Sequence, residues 1–379
     1  MTRYKLEDIF DLQMGKTPSR NNLEYWNTCD NKWISIGDLT QAEKYITDTK
    51  EYISDAAVEE SGIKIIPSNT VVMSFKLSIG KTAITSEDMY SNEAIMAFHD
   101  KHVVDLMPEY IYYMFKYKDW DEGTNKAVMG KTLNKATLSK VEIEVCPLEK
   151  QREIVKLLDK VSTVLDGRNE ELKKLDELIK ARFVEMFVSK NYPREDLDSL
   201  SFGKGEYGAQ SASMEYDPNR PRYVRITDIN DDGSLNEDYV CSSNIDDDET
   251  YKLTYGDFCF ARMGATVGKT YAYKGGNQIF AGYLIRYKLR LDRIIPEYLY
   301  EFTRLNEYWN WVLLNQSGAA QPGINAKKYG ALMIPIAPLD EQKQFADFVK
   351  QVDRSKVAVK KSLDETQRLF DSLMQEYFG

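Results

Sequence analysis

Gly-Lys-Thr triplets, among them Gly15-Lys16-Thr17, Gly80-Lys81-Thr82 and Gly268-Lys269-Thr270, are the first residues that suggest phosphate chemistry. A Walker-type loop needs a glycine five positions before its second glycine, so that successive backbone amides cradle the phosphates. Phe10, Phe75 and Met263 occupy those positions, and Gly264 is one residue too close. The triplets therefore read as turns after strands, with Lys and Thr free to meet phosphates or bases. The histidines are His99 and His102. Two ligands alone rarely hold a metal, so a solvated loop is the expectation for both. Glu171-Leu172-Lys173 fits the Glu-x-Lys piece of a nuclease site but falls on a helical heptad pattern, where a solvated charged face is the default. No Ser or Cys nucleophile motif, Asn/Asp-Pro-Pro-aromatic motif of amino methylation or Gly-rich methyl-donor loop stands out. The expectation is a binding protein with no catalytic residue, metal or cofactor of its own.

The elements that would position such residues occur twice. Trp33-Ile34-Ser35-Ile36-Gly37-Asp38-Leu39-Thr40 matches Tyr223-Val224-Arg225-Ile226-Thr227-Asp228-Ile229-Asn230 at an offset of 190. Ile79-Gly80-Lys81-Thr82 matches Val267-Gly268-Lys269-Thr270, and Pro108-Glu109-Tyr110 matches Pro296-Glu297-Tyr298, both at 188. Leu133-Asn134 with Ile324-Asn325, Pro147-Leu148-Glu149-Lys150-Gln151 with Pro338-Leu339-Asp340-Glu341-Gln342, and Glu185-Met186-Phe187 with Glu376-Tyr377-Phe378 follow at 191. Matches in one order at nearly constant spacing mark an internal duplication.

Each copy divides into a β-rich globular part and a long helix. Thr70–Phe75 and Asp257–Ala261 have strand composition. A helix is expected after each Pro-Glu-Tyr, and a longer one after Pro147 and Pro338, because proline suits the first helical turn. Ile154, Val161, Leu158, Leu165, Leu172 and Ile179 keep a heptad-like stripe in the first long helix; Phe345, Val352, Val359, Val349, Leu363 and Phe370 keep it in the second. Interrupted a/d apolarity over five heptads predicts a coiled coil. Two copies in one chain can mimic a two-fold dimer, so an antiparallel pairing under a pseudo-two-fold axis is expected. Helices of about 38 residues at 1.5 Å per residue make a rod of roughly 57 Å. The fold class is thus α+β: two mixed α/β domains, 1–146 and 191–337, and two helical spacers, 147–190 and 338–379.

The 379 residues are 42% hydrophobic and 12% aromatic, too apolar for a disordered chain. No apolar stretch follows Met1 and no run approaches a membrane span. The four cysteines, Cys29, Cys146, Cys241 and Cys259, form no CxxC pair, so packed thiols in a reduced cytoplasmic protein are expected. Net charge is −10, with −5 in each half. That balance weakens nonspecific attraction to nucleic acid, yet a locally basic face can still bind it. Arg220, Arg222, Arg225, Arg262, Lys269, Lys274 and Arg286 form a basic series in the second half, interleaved with Tyr207, Tyr223, Tyr271 and Tyr273; the first half is lysine-based.

These motifs, in this order and repeated twice, resemble the DNA-specificity subunits of Type I restriction-modification systems. Gly205-Glu206-Tyr207-Gly208-Ala209 adds to the likeness, which covers essentially the whole chain. The resemblance implies two target recognition domains, each reading half of a bipartite double-stranded DNA site. It implies helices that separate the halves and dock two methyltransferase subunits, which hold S-adenosylmethionine and methylate adenine N6 on a flipped base. Motor-endonuclease subunits join for restriction. The divergent heads imply an asymmetric site. With the polar, Gly-rich loops, the resemblance makes Lys16, Thr17, Arg20, Lys76, Ser78, Lys81, Thr82 and Lys131 candidate DNA contacts in the first copy. Tyr207, Gln210, Arg225, Arg262, Thr266, Lys269, Thr270 and Gln321 are the candidates in the second. The competing readings are a coiled-coil adaptor for protein, and a stand-alone methyltransferase or nuclease fused to recognition domains.

Overall fold

The computed structural model describes residues 2–26, 28–76, 78–120, 133–245, 249–318 and 322–379. Lys131 and Gln321 lie outside the described residues. The chain forms two compact units: Met1–Arg168 with Ser362–Gly379, and Asn169–Lys361. The long helices Leu148–Phe187 and Leu339–Phe378 each contribute one segment to either unit. Among the described residues no helix is long and apolar enough to cross a membrane.

In the first unit a five-stranded sheet runs in the order Phe10–Met14, Ile95–Asp100, Val71–Ser74, Thr82–Thr85, Tyr45–Ile46. Its pairs are antiparallel except the last. Val71–Ser74 is buried throughout, as its continuous apolar run requires of a central strand. A smaller sheet places Asn31–Ile34 between Glu51–Ile53 and Tyr90–Ser91, with Trp33 parallel to Tyr90. In the second unit Glu206–Tyr207, Leu284–Lys288, Asp257–Ala261 and Thr270–Ala272 form one antiparallel sheet. Ser213–Glu215, Cys241–Ser243, Arg222–Val224 and Gln278–Phe280 form the other, with Tyr223 parallel to Ile279. The central parallel pair and the hairpin into Gly-Lys-Thr therefore recur in both units, as the duplication requires.

Every matched motif has a structural task. Pro108 and Pro296 open the helices Pro108–Tyr117 and Pro296–Phe302. The next-but-one tyrosine of each turns inward: Tyr110 donates to the Glu144 carbonyl at 3.3 Å and Tyr298 to that of Pro335 at 2.6 Å. Asn134 and Asn325 cap short helices, their Oδ1 atoms accepting from Thr137 (2.8 Å) and Lys328 (3.0 Å). Such caps satisfy amides that a helix start leaves unpaired. Gln151 and Gln342, both fully buried, fasten the long helices to their heads. Gln151 accepts from the Met107 amide at 2.9 Å and donates to the carbonyls of Asp105 (2.8 Å) and Cys146 (2.9 Å). Gln342 does the same with the Ile295 amide (3.1 Å), Arg293 (2.9 Å) and Ala337 (2.9 Å).

The helix ends pack on the heads of their units. Phe187 stands 4.8 Å from Tyr298 and 5.6 Å from Phe345 between ring centroids, in a core that also holds Ile179, Phe183 and Val352. Phe378 stands 5.4 Å from Tyr110, in a core that also holds Ile154, Leu158 and Met374. Complete burial of a side chain such as Phe187 contributes roughly 1.5–3 kcal/mol, and the half-buried Phe378 less. Thus the closing phenylalanine of either repeat sits against the tyrosine of the other repeat's Pro-Glu-Tyr, an exchange the sequence pattern does not show.

Two expectations need correction. His99 is not in a solvated loop: it lies in the strand Ile95–Asp100, half-buried, 3.1 Å from Gln13 Oε1, and burial lowers its pKa. Cys29 is exposed, while Cys146, Cys241 and Cys259 are packed inside.

Candidate nucleic-acid interface

Burial decides first which candidates are presented. Thr82 and Thr270 open strands that are buried along their whole length. Thr82 donates to the Gly80 carbonyl at 3.0 Å, and Thr270 shares a 2.8 Å hydrogen bond with Thr303. The expectation that these threonines are free to meet DNA does not survive that placement. Their glycines shape the turn: Gly80 has φ +87° and Gly268 φ +92°, the left-handed region that L side chains avoid. The lysines between them are tethered, Lys81 to Thr40 Oγ1 at 2.5 Å and Lys269 to Asp231 at 2.7 Å. Arg225 is likewise committed. It grips buried Asp228 with Nη2 at 2.7 Å and Nε at 3.1 Å, and donates to the Tyr239 carbonyl at 2.9 Å.

In the first unit Thr17, Arg20 and Lys76 gather around Glu93, a residue the sequence reading did not single out. The Thr17 hydroxyl donates to the Glu93 carboxylate and, with help from Lys76 and Arg20, holds its pKa below the usual carboxylate range. Arg20 pairs with Glu51 and lies 3.7 Å from the Trp26 ring centre and 4.9 Å from that of Trp33. Lys16 is exposed and donates to the Ser61 carbonyl. Lys76 lies 5.2 Å from the Phe75 ring centre, and the half-buried Ser78 accepts at its carbonyl from Ser74.

In the second unit Gln210, Arg225 and Arg262 line one cleft of about 580 Å³, together with Ser213, Thr227 and Tyr283. Tyr207 and Tyr283 are both exposed, and the Arg262 guanidinium lies 5.0 Å and 5.7 Å from their ring centres. Arg262 Nε donates to the Gly282 carbonyl at 3.1 Å. Thr266 turns back to the Met263 carbonyl at 3.3 Å.

The two mouths are built on equivalent backbone. Gly15 N–H donates to the Ile95 carbonyl (3.1 Å) and Lys16 N–H to that of Ser91 (2.8 Å). Gly208 and Ala209 make the same pair of bonds to Leu284 (3.2 Å) and Phe280 (2.9 Å). Phe75 N–H donates to the Ala94 carbonyl and Arg262 N–H to that of Tyr283, both at 3.0 Å. So Thr17 corresponds to Gln210, Phe75 to Arg262 and Ala94 to Tyr283. The sequence reading missed these equivalences because the frame here is carried by backbone hydrogen bonds, with no side chain in common. The one legible signal was Gly208 beside Gly15, each preceding a short polar loop.

A shared backbone frame that carries unlike side chains in its two copies defines a class: an internally duplicated protein whose copies have diverged at equivalent positions. Residues 1–176 and 205–366 match the model of the Type I restriction modification DNA specificity domain, and the chain belongs to that family. Over 195 residues it is 32% identical to the Type I restriction enzyme MjaIX specificity subunit of Methanocaldococcus jannaschii, covering 49% of this chain and 44% of that protein. Over 169 residues it is 26% identical to the EcoprrI specificity subunit of Escherichia coli, covering 42% of each. The match thus spans a little under half the length of these relatives. The crystal structure of the Type I S subunit from M. genitalium aligns over 100% of this chain and 96% of that one, with a TM-score of 0.58 and 13% identity, a likeness of fold.

Proposed function

We propose that the chain is the DNA-specificity subunit of a cytoplasmic Type I restriction-modification complex and carries no catalytic residue itself. Each unit reads one half of a split, asymmetric site in double-stranded DNA. The observation that carries this reading is the pair of equivalent mouths with different chemistry, Thr17, Phe75 and Ala94 against Gln210, Arg262 and Tyr283. Conserved backbone fixes where a base edge would lie, and divergent side chains fix which base is accepted. Residues 1–146 and 191–337 act as recognition domains, with 147–190 and 338–379 as helical spacers. Two methyltransferase subunits dock on the helices and hold S-adenosylmethionine, and motor-endonuclease subunits complete the assembly.

In this reading the long helices pair as one antiparallel coiled coil. The contacts within the second unit support it: Phe187 meets Phe345, and Asp176 Oδ1 meets Lys356 Nζ at 2.8 Å. Eleven positions back along one helix correspond to eleven forward along the other, the signature of opposite chain directions.

Methylome sequencing of a host carrying this chain with its partner methyltransferase tests the proposal. A motif of two short parts around a fixed gap is expected. Replacing residues 1–146 by those of another family member changes one part. The absence of any split motif refutes DNA specificity, and a change in both parts refutes the assignment of one unit to one half.

A further inference from the structure

The cations of the second unit divide by what already holds them. Arg222 pairs with Glu237 at 2.8 Å, Arg225 with Asp228 at 2.7 Å, Arg293 with Glu195 at 2.5 Å and Arg286 with Glu206. Charges bound in this way have little capacity left for a ligand. Arg262 differs. Among the described residues it has no carboxylate partner; Nε is anchored to the Gly282 carbonyl, and neither Nη atom makes a hydrogen bond. Tyr207 and Tyr283 flank the guanidinium, and it opens on the cleft that also presents Gln210 and Thr227.

We propose that Arg262 is the specificity-determining residue of the second unit and reads a guanine from the major groove through its two Nη atoms; this rests on the DNA-specificity reading above. The guanidinium is a planar fork with five donors. One donor fixed to a backbone carbonyl sets the plane, and aromatic neighbours hold a cation near their faces. The two remaining nitrogens then match the paired acceptors O6 and N7, which guanine alone presents side by side in that groove. A fork oriented before binding loses less freedom on contact than a mobile one. The first unit has no counterpart, because the equivalent backbone position carries Phe75, which is buried. Arginine readout of guanine through this position therefore belongs to one half-site only.

The test uses the full chain assembled with its partner methyltransferase. Methylome sequencing defines the parent motif, and exchange of residues 1–146 assigns the half read by the second unit. Arg262→Ala and Arg262→Lys are then compared on duplexes carrying guanine or 7-deazaguanine at each guanine of that half. The parent is expected to lose roughly 5- to 150-fold in methylation rate at one 7-deazaguanine position, the discrimination of a good bidentate contact. Arg262→Ala, which removes both donors, is expected to be indifferent to 7-deazaguanine there, and Arg262→Lys, which keeps a donor for N7 but loses the fork, to keep only part of the discrimination, while the other half of the motif stays unchanged. The proposal is overturned if the second half contains no guanine. It is also overturned if Arg262→Ala keeps the parent's discrimination, or if both variants weaken methylation uniformly with a smaller salt dependence and an unchanged motif, the behaviour of a phosphate contact. If the parent yields no split motif, the DNA-specificity reading itself fails.

Discussion

Replacing Gln342 by leucine removes one amide and leaves three backbone groups without their partner: the Ile295 amide and the carbonyls of Arg293 and Ala337. Leucine is close in size, so little cavity forms and the effect is one of unpaired polarity. A buried polar group deprived of its hydrogen bond costs about 1–3 kcal/mol. Carbonyls with a second lone pair relax more easily than an orphaned amide, so the total expected is about 2–5 kcal/mol. For a unit of this size that lowers the melting temperature by about 4–20 °C. Hydrogen exchange resolves where the loss falls. Gln342→Leu is expected to speed exchange in 295–302 and 339–346 and leave 107–117 and 148–158 unchanged. Gln151→Leu, which orphans the Met107 amide in the same manner, is expected to do the reverse. Gln351, exposed on the same long helix as Gln342, supplies the control. If Gln342→Leu shifts the urea midpoint no more than Gln351→Leu does, the glutamine is not what fastens helix to head.

The Gly268 turn gives a second measurement. Its φ of +92° and a Cβ position only 2.9 Å from Trp309 make Gly268→Ala destabilising by at least about 1–2 kcal/mol in urea unfolding. Gly80→Ala, whose Cβ would meet Trp120 at 2.9 Å, is expected to behave alike. Glu301 gives a pH-dependent one. Burial raises its carboxyl above the ordinary 4.5, although Arg304 stands 3.4 Å away. A folded-state carboxyl held above its unfolded value contributes stability below about pH 4.5 that is lost as pH rises toward the folded value. Glu301→Gln is therefore expected to gain stability over the parent at neutral pH and to lose that advantage near pH 4, read from urea midpoints at both. An advantage that grows on acidification contradicts the sign.

Much of the frame was legible in the order of residues. Proline at a helix start and apolar heptads act over a few positions, so they declare themselves locally; both 40-residue helices and the helices after Pro108 and Pro296 follow from them. Duplication then marked these positions twice. The candidate site was less legible, for a related reason. Residues kept in both copies, such as Lys81 with Lys269 and Thr82 with Thr270, stood among the candidate DNA contacts. Structurally they are frame, tethered or buried.

The sequence by itself determined the repeat, the two heads and the two long helices, because periodicity and capping need only near neighbours. Tertiary structure alone decided which charges remain available. Arg225 and Arg262 line the same cleft, yet one is committed to a buried aspartate and the other lies by two tyrosines with only its Nε held by a carbonyl. That difference arises from contacts between residues distant in sequence, where a carboxylate brought within hydrogen-bond reach commits a cation and a carbonyl at one nitrogen leaves the rest of the fork open.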